Sequence, residues 1–153
     1  MKLLPRIVLD TNILVSALRS RHGPSFALVQ AVRDGHATIC CSPALFLEYE
    51  DVLMRPKQLE AFGLNAADIE VVLADLASYV WPVTTHYQWR PQLRDPSDEM
   101  VLEAAVNAPG AVIVTYNARD FSPASSFGVK VLNPEQTFRY FSLPQPALKG
   151  NQS

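Results

Sequence analysis

Residues 5–18 read PRIVLDTNILVSAL, an apolar run interrupted by one short polar group, Asp10, Thr11 and Asn12. The segment RIVL has the length and the branched side chains of a buried strand, whereas NILVSALRS has the pattern of a helix. The polar group therefore lies where a strand ends and a helix begins, at the edge of an open α/β sheet where ligands bind. Thr11 and Asn12 are explained as helix caps, but a charged Asp10 at the end of a buried strand needs a partner. Its meaning depends on whether other acids meet it there.

The composition predicts one globular domain. The 153 residues are 48% hydrophobic and 18% charged, with a formal net charge of −2. We predict a domain over residues 1–141 and a flexible C-terminal tail over 142–153. The apolar runs are too short to span a bilayer and no signal-peptide cleavage region follows the N-terminus, so we expect a cytoplasmic protein without a membrane partner. The adjacent Cys40 and Cys41 and three scattered histidines give almost no support for a disulfide or a zinc site.

The apolar pattern alternates between strands and helices along the chain. Strands are predicted near 6–9, 37–41, 79–83, 111–115 and 129–132. Helices are predicted near 12–19, 24–34, 43–54, 65–77, 96–107 and 134–141, with a loop or short helix in RPKQLEAFGLN. Strands that alternate with helices form a parallel sheet covered on both faces. The sequence therefore predicts an α/β fold, a three-layer α/β/α domain with a central, mainly parallel sheet of about five strands.

Two further acids lie near the buried faces of predicted helices. In SPALFLEYEDVL, residues 42–53, Glu48 flanks the apolar stripe while its acidic neighbours point away from it. In DPSDEMVLEAA, residues 95–105, Asp95 followed by a proline starts a helix and places Asp98 in the first turn. A purely structural interpretation is as good for Glu48, as a boundary residue, and for Asp95, as a cap. Capping explains Asp98 less well.

A second buried strand also runs into polar residues. In VIVTYNARDF, residues 112–121, Thr115 and Asn117 follow the strand and Asp120 lies in the next turn. In a doubly wound sheet such strand ends can meet at one edge. Carboxylates brought together there repel by about 4 kcal/mol per close pair at an effective dielectric of 20, and a divalent cation relieves this repulsion. Oxygen ligands favour Mg²⁺ or Mn²⁺ and suit hydrolysis of a phosphodiester by a metal-activated water.

Four motifs in this order resemble the PIN domain family. They are VLDTNILVSAL, SPALFLEYEDVL, DPSDEMVLEAA and VIVTYNARDF, and the resemblance covers about residues 5–141. The chain looks most like the prokaryotic subgroup of toxin components from toxin–antitoxin systems, related to VapC ribonucleases. The resemblance implies an endoribonuclease that depends on Mg²⁺ or Mn²⁺, is often dimeric and is held inactive by a cognate antitoxin.

The resemblance also assigns roles to individual residues. The family's three principal acids, predicted here to be catalytic and metal-binding, match Asp10, Glu48 and Asp98. Further candidate ligands are Asp95, Asn117 and Asp120, and the predicted supporting residues are Thr11, Asn12 and Thr115. The family often has an aspartate where Asn117 stands, so this chain has one charge fewer there. Asp120 compensates if the turn brings it inward.

The predicted partners are an RNA substrate, a cognate antitoxin protein and further copies of the chain in a homodimer or higher oligomer. Because the net charge is negative, RNA binding requires a local basic patch. The candidate residues are Arg19, Arg21, Arg55, Lys57, Arg90, Arg94 and Arg119. Each of these, taken singly, is also explained as a solvated surface charge.

Two alternative functions belong to other classes. Phosphatases of the haloacid dehalogenase type also begin with a strand and an aspartate, but they need a second acid where this chain has Asn12. The other alternative is a catalytically weakened PIN-like module that binds RNA or a partner protein without cleavage. Asn117 keeps this alternative open, whereas the three matching acids argue against it.

Overall fold

The computed structural model describes residues 3–85, 93 and 95–145. Five strands form one sheet in the order β3-β2-β1-β4-β5, and every pairing between neighbours is parallel. The strands are β1 Arg6–Leu9, β2 Thr38–Cys41, β3 Val80–Pro82, β4 Val112–Val114 and β5 Val131–Leu132. The prediction of a parallel five-stranded sheet is confirmed.

Helices connect the strands and cover the sheet. They are α1 Thr11–Arg19, α2 Pro24–Arg33, α3 Pro43–Leu53, α4 Pro56–Phe62, α5 Ala66–Ala77, α6 Pro96–Val106 and α7 Pro134–Tyr140. A 3₁₀ segment, Ala118–Phe127, follows β4. Parallel strands need such crossover connections, which place helices on both faces of the sheet. The chain is therefore a three-layer α/β/α domain, as the sequence predicts.

Prolines set the start of many of these helices. A proline suits the first helical position because its φ angle is already helical and its missing N–H would have no partner there. Helices α2, α3, α4, α6 and α7 begin in this way. The sequence predicts either a loop or a short helix in the segment of α4, and the structure has a short helix. It begins at a proline and ends at Gly63, which has a left-handed φ of 69°.

The 3₁₀ segment is longer than the short helical turn expected after β4. Pro123 lies inside the segment, and Phe121 has a non-helical φ of −112° that marks a kink. A proline within a helix removes one hydrogen bond and clashes with the preceding turn, so a regular α-helix does not form here. Phe121 is nevertheless buried, and its side chain packs the segment against the core.

The central strands supply the middle of the core. Ile7, Val8 and Leu9 in β1 and Ile113 and Val114 in β4 have no exposed surface. This explains why their sequences are continuous apolar runs without alternation, since both faces of a parallel sheet are covered. The helices on both faces therefore pack against the side chains of these two strands and bury them.

The order of the strands places one edge of β1 beside β4. From β1 the chain builds outward through β2 and β3 on one side, and it later builds outward through β4 and β5 on the other side. The point where the direction reverses lies between β1 and β4, and ligands bind outside the carboxyl ends of strands at such switch points. Asp10 and Thr115 directly follow these two strands.

The C-terminal residues are described as far as position 145. Leu143 is buried, and its N–H donates to the carbonyl of Phe138 at 2.9 Å. Residues 146–153 of the predicted tail lie outside the described residues, so the flexible tail stays a prediction. No helix within the described residues combines the length and the apolar character needed to cross a bilayer.

Candidate active site

Asp10 is held at the carboxyl end of β1 by contacts with β4. Its backbone N–H donates to the carbonyl of Val114 at 2.9 Å, and its Oδ2 accepts a hydrogen bond of 2.6 Å from the hydroxyl of Thr115. The backbone N–H of Asn117 donates to that same hydroxyl at 2.9 Å. Thr115, which is 1% exposed, therefore orients the carboxylate of Asp10 and is itself oriented by the next turn.

The environment of Asp10 works against its charge. Burial raises the pKa of this carboxyl, while the hydroxyl of Thr115 and the backbone amides of Thr11 and Asn12 lower it. The negative charge of Asp120 raises the pKa further. Burial is the largest of these effects, so the net direction is upward.

Asn12 has an unusual environment for a polar residue at a helix start. Its side-chain Oδ1 is buried and has no hydrogen-bond partner within the part of the chain that the structure describes. Buried acceptors are normally paired, so an unpaired one beside Asp10 is notable. The backbone amides of Thr11 and Asn12 donate to Asp10 and act to lower its pKa, whereas the supporting role of their side chains stays a prediction.

Asp98 lies in the first turn of α6, as the motif predicts. Asp95 is the N-cap of this helix, and its Oδ1 accepts a hydrogen bond of 2.9 Å from the N–H of Ser97. The pKa of Asp98 is raised to about 7, mainly by burial and further by the negative charges of Asp10, Asp95, Asp120 and Glu99, in that order. Asp98 and Asp10 thus share one negative electrostatic field.

Glu48 comes to this region through a contact that the sequence did not predict. The hydroxyl of Ser97 donates to Oε1 of Glu48 at 2.7 Å, which joins the middle of α3 to the start of α6. Ser97 stands between Asp95 and Asp98 in DPSD, where a serine is easily interpreted as a helix-start residue. The signal for its second role is tertiary, because it depends on how α3 packs against α6.

The turn after β4 contributes Asp120 to the same region. Asp120 and Arg119 line a surface cleft together with Asp95 and Asp98. The side chain of Asn117 makes no capping hydrogen bond with the segment that follows it. The charge of Asp120 raises the pKa values of both Asp10 and Asp98. Asp120 therefore adds its negative charge to those of Asp95 and Asp98 in the cleft.

The predicted basic residues that the structure describes are spread over the surface. Arg119 lies in the cleft with the acids. Arg19 donates to the side-chain carbonyl of Gln58 at 2.9 Å, and Arg55 forms an ion pair of 3.0 Å with Asp51. Arg21 and Lys57 are exposed, whereas Arg90 and Arg94 lie outside the described residues.

The charges of Asp10 and Asp120 act on Asp98, but the acids of the site do not form a compact set of metal ligands. Among the described residues, no group of three or more His, Cys, Asp or Glu side chains lies close enough to hold a metal ion. The donors at the site are nevertheless all oxygen atoms, and their negative charges add to the effect of burial in raising the pKa of Asp98. Oxygen donors with unbalanced negative charge fit the chemistry of a hard divalent cation. The donor atoms therefore have the chemistry that such an ion requires, but in the described residues the carboxyl groups lie too far apart for three of them to hold it together.

A comparison with known families gives one match. A family model described as PIN domain matches residues 6–119, well over half of the chain. The matched range includes Asp10, Glu48, Asp98 and Asn117, and it ends one residue before Asp120. A search of curated proteins found none that matches this chain.

Proposed function

Because the chain belongs to the PIN domain family, which has a nuclease fold, we propose that it is a metal-dependent endoribonuclease that hydrolyses RNA phosphodiester bonds. The observation that supports this proposal is the electrostatic coupling between Asp10, which follows β1 at the switch point of the sheet, and Asp98 in the first turn of α6. In addition to burial, the charge of Asp120 raises the pKa values of both carboxyls, and the charge of Asp10 raises the pKa of Asp98. Ligands bind at such switch points, and a phosphate with its counter-cation suits an acidic one.

The proposed cation is Mg²⁺ or Mn²⁺, held by Asp10, Asp98 and Glu48. Asp95, Asn117 and Asp120 are proposed as further ligands. When bound, such an ion supplies an activated water and neutralises charge on the phosphate.

The chain's own residues have separate tasks in this proposal. Thr115 holds Asp10 in one orientation through its hydroxyl, and Ser97 does the same for Glu48. Arg119 lies in the cleft beside Asp98 and offers a cation for a phosphate of the RNA. Arg21 and Lys57 extend the proposed RNA contacts over the surface. We expect RNA binding to weaken with salt as these phosphate contacts release counterions.

The proposed biological role is the toxin of a toxin–antitoxin pair. The support is the resemblance of the four motifs to VapC-like toxin components, which carries over a cognate antitoxin and a homodimer or higher oligomer as proposed partners. Co-purification of the chain with a small protein from its own operon tests the antitoxin. Light scattering of the purified chain tests the oligomer.

Cleavage of a mixed RNA pool by the purified chain is the primary test. The reactions contain Mg²⁺, Mn²⁺ or EDTA, and they compare the wild type with Asp10→Asn. We expect cleavage that requires the metal and disappears in the variant. Asp34→Asn is the matched control because Asp34 is an exposed acid at the end of α2. Well-folded wild type that cleaves no RNA with any of these ions would contradict the proposal.

A second candidate is a PIN-like module that binds RNA or a partner protein without cleavage. The separation of the carboxyl groups favours it, since no three of them are close enough to hold a metal in the described residues. RNA binding without metal-dependent cleavage would support this candidate. Restored cleavage in Asn117→Asp would then show that the missing charge is the cause.

A further inference from the structure

Tyr116 combines an exposed ring with a buried anchor. The residue is 44% exposed, yet its hydroxyl lies 2.6 Å from Oγ of Ser25, which has no exposed surface. Ser25 belongs to α2 and is separated from Tyr116 by 91 positions in the chain. The hydrogen bond fixes the far end of the side chain, so the exposed ring has one orientation.

Tyr116 is the residue that directly follows Thr115 in the turn after β4. Tyr116 follows β4 and lies between Thr115, which orients Asp10, and Asn117, whose N–H holds Thr115. An RNA whose scissile phosphate lies at Asp10 therefore lies close to the turn that carries Tyr116. A ring held in place before binding loses little side-chain entropy when a ligand contacts it.

Two other exposed aromatic rings in the described part of the chain have different surroundings. Trp81, which is 60% exposed, lies on β3 at the edge of the sheet, two strands away from β1. Tyr140, which is 53% exposed, packs edge-on against Phe141 with ring centroids 4.9 Å apart and lies below the ammonium group of Lys130. Tyr116 differs from both in its position at the switch point.

We propose that Tyr116 is a stacking platform on which a base of the RNA lies, next to the nucleotide that is cleaved. This inference rests on the proposed ribonuclease function and adds a position-specific contact to it. Aromatic side chains stack on single-stranded bases without requiring a given base, because every base has a π face. The platform thus selects unpaired RNA at this position, and it does so through the base and not through the phosphate.

Three variants separate stacking from the structural role of the hydroxyl. Tyr116→Leu removes the ring's π face, and Tyr116→Phe keeps the ring but removes the bond to Ser25. Trp81→Leu is the matched control because it removes an exposed aromatic ring at the far edge of the sheet. Melting temperatures of all three establish that the chains are folded.

The binding measurement uses fluorescence anisotropy with labelled single-stranded RNA, including versions with one abasic nucleotide at each successive position. We expect Tyr116→Leu to bind about tenfold more weakly, while Tyr116→Phe loses a smaller part of the affinity because its ring remains but is no longer held by Ser25, and Trp81→Leu stays close to the wild type. At one position, an abasic nucleotide weakens RNA binding by the wild type but does not weaken binding by Tyr116→Leu any further. In cleavage assays, KM rises in Tyr116→Leu and kcat changes little. The ratio of the Kd values of Tyr116→Leu and the wild type for RNA stays constant as the salt concentration increases, because stacking releases no counterions.

The remaining outcomes overturn the inference. If Tyr116→Phe binds as weakly as Tyr116→Leu, the residue acts only as a structural link to Ser25. If Tyr116→Leu binds as the wild type does while the wild type cleaves RNA, stacking is refuted and the ribonuclease function stands. A wild type that neither binds nor cleaves RNA overturns the proposed function itself, and the stacking platform with it.

Discussion

The hydroxyl of Thr115 lies 2.6 Å from Oδ2 of Asp10 and joins the carboxyl ends of the two central strands, although the residues are 105 positions apart in the chain. The same hydroxyl accepts a hydrogen bond from the N–H of Asn117, so its proton is directed at the carboxylate. Both side chains are buried, which makes this bond a fixed part of the site. The position of the proposed ligand Asp10 thus depends on a residue of another strand.

Thr115→Val removes this donor with little change in shape. We expect the free energy of unfolding to fall by about 1.5–3 kcal/mol, the range for a hydrogen bond to a charged group. Metal affinity and cleavage should fall by about 10–100-fold, as for residues that orient a metal ligand. Urea unfolding and calorimetric titration with Mn²⁺ measure the two effects.

Thr115→Ser is the control for that variant because it keeps the hydroxyl. It should retain most of the metal affinity, since the donor to Asp10 is still present. Equal Mn²⁺ affinity in Thr115→Val and the wild type would show that the hydrogen bond does not position a ligand.

Asp98→Asn should stabilise the chain in the absence of metal. The substitution preserves the size of the side chain and removes one charge from a field that includes Asp10 and Asp120. We expect a higher Tm in EDTA, together with loss of the Tm increase that Mn²⁺ produces in the wild type. Functional sites often sacrifice stability in this way. The exposed Asp34→Asn serves as control and should change neither value; a lower Tm for Asp98→Asn in EDTA would refute the repulsion.

The stability of the metal-free chain should fall as the pH rises from about 4 to about 7. The pKa of Asp98 in the folded chain is about 7, above its ordinary value of 3.8, so the folded state binds this proton more tightly than the unfolded state does. The contribution to stability is therefore complete at low pH and is lost as the pH rises through the folded pKa. The raised pKa of Asp10 acts in the same direction.

Urea unfolding in EDTA at a series of pH values measures this dependence. Asp98→Asn should have a shallower dependence over the same range, because it lacks the titrating group. Mn²⁺ should stabilise the wild type more at pH 7 than at pH 5, since the metal competes with the proton for the carboxylates. A dependence that is as steep in Asp98→Asn as in the wild type would assign the effect to other groups.

Ser97→Ala tests the contact between α6 and α3. The variant removes the 2.7 Å hydrogen bond to Oε1 of Glu48 and leaves the cap made by Asp95 intact. We expect cleavage to fall by at least about tenfold, with a small change in stability, if Glu48 is a ligand that must be oriented. Ser125→Ala, on the exposed part of the 3₁₀ segment, is the matched control. Unchanged cleavage by Ser97→Ala would argue that Glu48 needs no such support.

Much of the fold is predictable because its signals are local. Each strand is a short apolar run, and prolines and capping residues mark the helix starts, so the elements lie close to their predicted ranges. Asp10 at a strand end and Asp98 in the first turn of a helix follow from the same local signals. The 3₁₀ segment is the exception, because Pro123 and the packing of Phe121 determine its form together.

The contacts that organise the candidate site are not predictable in this way. Helical periodicity shows that Glu48 lies beside a buried face, but the partner Ser97 is 49 positions away and depends on how two helices pack. The bond between Tyr116 and Ser25 spans 91 positions and requires the same tertiary information. A sequence pattern predicts the face on which a residue lies, whereas its partner depends on the helix facing it.

Tyr49→Phe tests whether the core itself fixes the distance between the proposed ligands. Tyr49 has no exposed surface, and its hydroxyl donates to the carbonyl of Leu9 at 2.5 Å. It therefore ties the helix that carries Glu48 to the strand that ends at Asp10. Removal of the hydroxyl should lower the free energy of unfolding by about 1–2 kcal/mol, because a buried bond is lost and the ring remains.

Cleavage by the same variant distinguishes two roles of this bond. If it sets the approach of Glu48 to Asp10, cleavage and Mn²⁺ affinity should fall while the chain stays folded, because small displacements of catalytic groups are costly. Tyr140→Phe is the control, since Tyr140 is exposed at the end of α7, the helix that follows the edge strand β5. A loss of stability without any change in Mn²⁺ affinity would show that Tyr49 serves the core alone and that the site is positioned by Thr115 and Ser97.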